Sequence, residues 1–233
     1  MPREKVIRHI GREYHHYSEE EKRVFSTLRI KAVNVLCVLE QTGINAFVHG
    51  SVARGDITSA SDVDIHIPVR IPSYQLDIIE DFKFADRRIL MGTPNSTIHG
   101  VMSTHDNITI SFPLSSPNER EHEFYRFSGF LYARDIQQNN RIPGVTKQLL
   151  LIEPKGDGYW ISSISTNKQR AIKVLSLSQR IIDERIRVLE RRDNIGRTGV
   201  LLDYSLSPDE NFELCLKQIA DRNVLVRRML KRT

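Results

Sequence analysis

Two aspartates separated by one residue stand in the run Ser61-Asp62-Val63-Asp64-Ile65-His66-Ile67. If that run is a strand, alternation turns both carboxylates and His66 to one side and Val63, Ile65 and Ile67 to the other. The two Cα atoms then lie about 6 to 7 Å apart. Like charges held that close repel unless a cation lies between them. Hard oxygen ligands suit Mg²⁺, which needs only one or two carboxylates when substrate phosphates complete its shell. By itself a D-x-D also reads as two acids on a solvated sheet face. What gives it chemical content is the upstream run Gly50-Ser51-Val52-Ala53-Arg54-Gly55-Asp56. A strand ending in Gly-Ser and turning toward a short helix presents backbone N–H groups and a hydroxyl, donors that suit phosphate oxygens. Arg54 adds a candidate charge-assisted contact to the same phosphates. Metal, triphosphate and room for in-line attack form one constellation within 15 residues.

Those residues need a scaffold, and the spacing predicts a mixed α/β unit. Ser18-Glu19-Glu20-Glu21 is a capping box. It opens a helix over 18–42 with Val24, Phe25, Leu28, Ala32, Leu36 and Leu39 as its apolar stripe and Gly43 as its stop. Strands are predicted at 44–49, 63–68, 88–91, 97–103 and 108–113, with a helix over 72–84 and a turn at His105-Asp106-Asn107. A helix over 119–127 and a strand over 149–152 follow, with Tyr159 and Trp160 packed against that strand. His15-His16 reads as a surface pair. From Thr166 the pattern is helical: 167–175, then 179–192 capped by Ser178, a two-stranded turn across 194–204, and a last helix opened by Ser207-Pro208-Asp209-Glu210 and running to about Leu230. Arg191-Arg192 and Arg227-Arg228 fall where positive charge offsets a helix C-terminus.

Composition bounds what such a chain can be. Its 233 residues are 39% apolar and 27% charged, enough to bury a core and too apolar for wholesale disorder. No apolar run approaches the ~18 residues of a membrane span, and no secretion signal is visible. Two cysteines, Cys37 and Cys215, make neither a disulfide framework nor a metal cluster, so a reducing cytoplasm is expected. The net charge is +5, but residues 161–233 carry +6 and residues 1–160 carry −1. That asymmetry suggests an anionic partner for the C-terminal third, nucleic acid being the usual one.

His49-Gly50-Ser51 with Asp62-Val63-Asp64 resembles the signature of the DNA polymerase β-like nucleotidyltransferases, and the whole run is similar to the small prokaryotic "minimal" members, archaeal ones in particular. The resemblance covers about 18–115. It implies an α+β nucleotidyltransferase fold with a mixed sheet, Gly50 and Ser51 at the phosphates of an NTP such as ATP, and one or two Mg²⁺ ions on Asp62 and Asp64. The implied reaction moves a nucleoside monophosphate to an acceptor and releases pyrophosphate. Many members carry a third carboxylate on a later strand. Here that strand, 108–113, has Thr109 and Ser111 on the available face. The candidates to stand in are Asp106, Glu119, Glu121 and, as a base, His66.

Residues 172–186 resemble a helix-turn-helix, and with the turn at 194–204 a winged helix. That places Gln179, Arg180 and Arg187 toward a major groove and Arg197 on the wing. The expected organisation is a nucleotidyltransferase domain over 1–115, a middle segment over 116–160 and a small helical winged-helix-like domain over 161–233. The leading function is Mg²⁺-dependent nucleotidyl transfer. Its alternative is a catalytically inactive member acting as a nucleic-acid-binding regulator.

Overall fold

A computed structural model describes residues 5–8, 10–118, 120–196 and 200–231. In chain order the elements are β1 (Glu13–His16), α1 (Glu19–Gln41), β2 (Phe47–His49), α2 (Ser51–Arg54), β3 (Val63–His66), α3 (Tyr74–Asp77), β4 (Phe84–Met91), β5 (His99–Thr104) and β6 (Ile108–Pro113). They continue with α4 (Arg120–Ser128), β7 (Phe130–Leu131), α5 (Ala133–Gln137), β8 (Gly144–Val145), β9 (Leu150–Lys155), β10 (Gly158–Ser163), α6 (Lys168–Leu175), α7 (Gln179–Ile195), β11 (Leu202–Ser205), α8 (Phe212–Arg222) and α9 (Val224–Leu230). The chain divides into two compact units. One comprises Met1–Cys37, Phe47–Val63 and Glu119–Thr198, and the other Val38–Ala46, Asp64–Asn118 and Gly199–Thr233.

The first unit is built on an antiparallel sheet in the order β1-β10-β9-β8 and a short antiparallel pair of β2 with β7. Helix α1 begins where the sequence predicts. The Ser18 N–H donates to Glu21 Oε2 at 2.8 Å, and the Glu21 N–H returns a bond to Ser18 Oγ at 3.2 Å. It stops before Gly43, whose φ of +79° suits a residue without Cβ. The polar run holding His15 and His16 is an edge strand. β1 pairs residue for residue with β10, and Tyr14 sets its ring 5.1 Å from that of Trp160. Trp160 lies opposite Glu153 of β9 in the strand pairing, and its ring meets Tyr14 and the Arg12 guanidinium.

Helices α6 and α7 belong to this same unit. Leu175, Leu177, Ile181, Ile182, Ile186 and Leu189 share one buried cluster with Val145, Leu149 and Leu151 of the β8–β9 region, with Phe127 and with Val6. A boundary at 160/161 would split that cluster, so the expected domain over 161–233 is not how the chain divides. The two helices are joined by the short turn 176–178. Ser176 takes a left-handed conformation that ends α6, and the Ser178 side chain accepts from the Ile181 N–H to start α7.

The second unit carries strands in the order β11-β4-β5-β6, all antiparallel, with β3 beside β6. The expected helix over 72–84 is only the single turn α3; residues 78–83 are turns and irregular backbone, and Phe84 already belongs to β4, which bonds to a neighbour on each edge. Of the expected turn across 194–204, residues 194 and 195 close α7. Residues 197–199 lie outside the described residues, and Leu202–Ser205 joins β4, with Leu202 opposite Met91. The last helix starts later than the capping box suggests. The Ser207 N–H does bond Glu210 Oε2 at 2.7 Å, yet the helical cap is Asn211, which accepts from the N–H groups of Glu213 and Leu214. Asn223, in an extended conformation, then ends α8 and caps α9. Phe212 anchors this segment, fully buried against Phe112 at 5.3 Å, while the Arg87 guanidinium holds the carbonyls of Pro208 and Glu210 at 3.0 Å.

The shared core of the first unit makes a measurable prediction. Ile182→Ala leaves a void beneath fully buried packing and costs about 2–5 kcal/mol. Urea unfolding followed by Trp160 fluorescence reads it directly, since Trp160 sits on β10 of that unit. An independent C-terminal domain would leave the Trp160 transition where it was.

Candidate functional site

The Gly-Ser bend is fixed by its surroundings in the first unit. Strand β2 delivers His49 to Gly50, whose N–H donates to the Gly129 carbonyl at 3.0 Å. Gly50 has φ +79° and ψ −142°, a region closed to other residues, and a Cβ placed there would meet nothing within 4 Å. The requirement for glycine is therefore one of backbone conformation, and the space beside it is open. Helix α2 begins with Ala53 and Arg54 N–H groups bonding back to the Gly50 carbonyl, which leaves the Ser51 and Val52 N–H groups outside the helical pattern. Ser51 is half-buried.

Arg54 does something the sequence reading did not foresee. Its side chain is buried, and Nε and Nη2 bond the two oxygens of Asp56 at 2.9 and 2.8 Å while Nη1 donates to the Ser128 carbonyl at 2.7 Å. All three nitrogens are engaged within the chain, forming an internal latch at the residue expected to contact phosphate. Gly55, at φ +103°, makes the latch by letting the chain reverse between the two charged residues. The Gly55 carbonyl accepts from Tyr17 Oη at 2.8 Å, which itself accepts from Arg141 Nη1 at 2.8 Å. Gly144 leaves room for the arginine: a Cβ there would come within 2.5 Å of the Ser128 carbonyl oxygen and 2.8 Å of Arg54 Cδ. A charge at the end of a single-turn helix gave no signal in the sequence that its partner was two residues away.

His49 is an apolar-environment histidine. Its ring meets Tyr125 edge-on at 5.0 Å, and burial, aided by the positive charges of Arg54 and Lys147, pushes its pKa down to about 3.

The three side chains predicted to share a strand face grade from outside to inside. Asp62 is exposed just ahead of β3, Asp64 is half-buried on it, and His66 is buried. His66 Nδ1 lies 2.9 Å from Ser111 Oγ on β6, and its ring is 5.7 Å from that of His99. His66 is thus tied into the sheet of the second unit. Of the other candidates for a third acid, Asp106 is exposed in the β5–β6 turn, where it accepts from Thr104 Oγ1, and Glu121 is half-buried in the first turn of α4. Glu119 lies outside the described residues. Among the described residues no three His, Cys, Asp or Glu side chains gather as a metal cluster. The donor chemistry of Asp62 and Asp64, two hard carboxylates with access to solvent, fits an ion that draws its remaining ligands from substrate and water. On α7, Gln179, Arg180 and Arg187 are exposed, and Asp183 between them is held by Lys168 at 2.8 Å. Arg197 falls outside the described residues. Among those residues no helix is long and apolar enough to cross a membrane.

The bend, the D-x-D and the strands beyond it define a nucleotidyltransferase-type α/β protein. The family model for the nucleotidyltransferase domain matches residues 29–172, more than half of the chain, and the chain belongs to that family. The match takes in Gly50-Ser51 and Asp62-Val63-Asp64, and extends past the expected 115 through β8–β10 into α6. No match was found among curated proteins or among solved structures.

Two outcomes follow from the bend. Arg54→Met strands the Asp56 carboxylate in a poorly hydrated site and lowers stability by about 3–5 kcal/mol, whereas Arg54→Met with Asp56→Leu recovers most of the loss. Thermal melts of the two variants measure this. Because folded His49 stays neutral to about pH 3 while the unfolded ring protonates near its ordinary pKa of about 6.5, the unfolded state binds the extra proton between those values. Stability is therefore intact above about pH 6.5 and falls as pH drops toward 3, by up to roughly 4 kcal/mol from this group. His49→Phe keeps a ring against Tyr125 and flattens that part of the urea-midpoint profile between pH 7 and 4.

Proposed function

We propose that the protein transfers a nucleoside monophosphate from an NTP to an acceptor hydroxyl. The observation that carries this reading is the family match over the very residues that bear the chemistry: a glycine held at positive φ beside open space, Ser51 after it, and the pair Asp62 and Asp64. In the reaction the acceptor oxygen forms a bond to the α-phosphorus, the bond from that phosphorus to the bridging oxygen breaks, and pyrophosphate leaves as the hydroxyl proton is released. Gly50 and Ser51 receive the phosphate oxygens through the N–H groups and hydroxyl at the start of α2. Asp62 and Asp64 would hold Mg²⁺, which when bound neutralises developing charge on the phosphates. Arg54 contributes by holding the bend through Asp56 and Ser128, a positioning role. Acceptor and preferred base are set by pocket residues outside this motif, and the family alone does not fix them.

Asp62→Asn and Asp64→Asn test the reading. Incubation with α-labelled NTPs and a panel of RNA, DNA, protein and small hydroxyl acceptors should give Mg²⁺-dependent label transfer by wild type. Each substitution should reduce it by at least about 10²-fold, since metal-borne charge stabilisation amounts to several kcal/mol. Label transfer that survives both substitutions would falsify the assignment.

The alternative of a nucleic-acid-binding regulator draws on the exposed Gln179, Arg180 and Arg187 on a Ser178-capped helix after a helix-turn-helix bend. It is separated from the first by duplex binding. A regulator binds DNA with steep salt dependence that Arg180→Ala and Arg187→Ala weaken, and the Asp62 and Asp64 substitutions leave that binding untouched.

A further inference from the structure

A cavity of about 680 Å³ lies within the first unit and contains none of the Gly50, Ser51, Asp62 or Asp64 side chains. One wall is a single face of α1, on which Lys22, Phe25, Ser26, Arg29, Ile30 and Val33 recur at helical spacing. The rest comes from the end of α5, from Arg141 and from the β9–β10 turn at Gly156-Asp157.

Arg29 decides what the cavity suits. It is only 5% exposed, and among the described residues no carboxylate pairs with it. Nη2 donates to the carbonyls of Ile136 and Asn140 at 3.2 and 2.7 Å, while Nε and Nη1 are buried without a hydrogen-bond partner among the described residues. Burial, with Arg141 as a second positive charge, pushes its pKa down to about 10, so it remains cationic at neutral pH. Arg141 likewise donates to neutral groups, Tyr17 Oη and the carbonyls of Gly156 and Gly158. Lys22 at the rim is paired with Glu19 at 2.7 Å, and the one carboxylate of the lining, Asp157, accepts from Tyr14 and lies 3.5 Å from His16. A buried guanidinium with idle donors and no counter-charge costs several kcal/mol, a cost that an incoming anion relieves. The apolar part of the lining asks for a second kind of contact. Ile30 is 59% exposed, and with Phe25, Val33 and Ile136 it offers an uncovered hydrocarbon surface beside the cations.

We infer that this cavity binds a small organic anion, its carboxylate or phosphate head toward Arg29 and Arg141 and its apolar or aromatic body along Phe25, Ile30 and Val33.

Calorimetric titration of the full chain carrying Asp62→Asn and Asp64→Asn, which removes the metal-binding carboxylates, tests this with three probes. These are 2-naphthoate, 2-naphthyl phosphate and the uncharged 2-naphthylmethanol. At least one anion should bind saturably and tenfold or more tighter than the alcohol, and whichever anion leads identifies the head group. Arg29→Gln should erase the preference for anion over alcohol. Should that variant fail to fold, Ser26→Trp, at an exposed helix position on the lining, fills the space without touching the buried arginine and should abolish binding of both anions. Binding of the alcohol as tight as the anions, anion affinity unchanged in Ser26→Trp, or no saturable binding of any probe overturns the inference.

Discussion

The buried pair of Arg54 and Asp56 is the constraint on which the chemistry-bearing bend depends. An arginine in that position has to give up its hydration, and it does so against a bidentate carboxylate and the Ser128 carbonyl, which together engage all three of its nitrogens. The latch ties the segment carrying Gly50 and Ser51 to the loop after α4. Gly129, Gly144 and Gly55 accompany it, the first two because backbone carbonyls and the arginine stem together occupy the space a Cβ would need and the third because the chain must reverse. Tyr17 and Arg141 extend the same bracing to the start of α1 and the β9–β10 turn.

In the first unit the other organising fact is hydrophobic. The β8–β10 sheet is short and would expose Val145, Leu149 and Leu151 on one face without α6 and α7 to cover them. The helix pair in turn needs that sheet to bury Ile181, Ile182 and Ile186. Each half lacks a core of its own, and the family match, which runs through to residue 172, is consistent with their being one structure. The second unit repeats the logic with different parts. β11 and Phe212 come from the C-terminal segment, and Arg87 holds that segment by its carbonyls.

Local signals were legible where local physics decides. The capping box at Ser18, the cap at Ser178, the stop at Gly43, the turn at Asn107 and the extents of α1, β6 and α6 could all be read from residue type and spacing. The D-x-D and Gly-Ser motif, with the family they indicate, were legible for the same reason, being short and contiguous. What escaped was set by partners distant in sequence. The strand β1 looks polar because it is an edge, and becomes a strand only by pairing with β10 some 145 residues later. The segment after Tyr74 carries a helical pattern but keeps only one helical turn, and the strand expected at 88–91 reaches back to Phe84 because β5 pairs along it. Arg29 sits among the apolar positions of α1, and nothing in its neighbours in sequence announces a buried cation beside a cavity.

The sequence by itself therefore determined the helices with their caps, the bend, the paired aspartates and the class of chemistry they serve, because backbone capping and side-chain alternation act over a few residues. Only the tertiary structure decided that Arg54 faces Asp56, that α6 and α7 complete the core begun by β8 and β9, and that the final strand joins β4. Those outcomes rest on burial and on long-range hydrogen bonding, whose partners a one-dimensional pattern does not name.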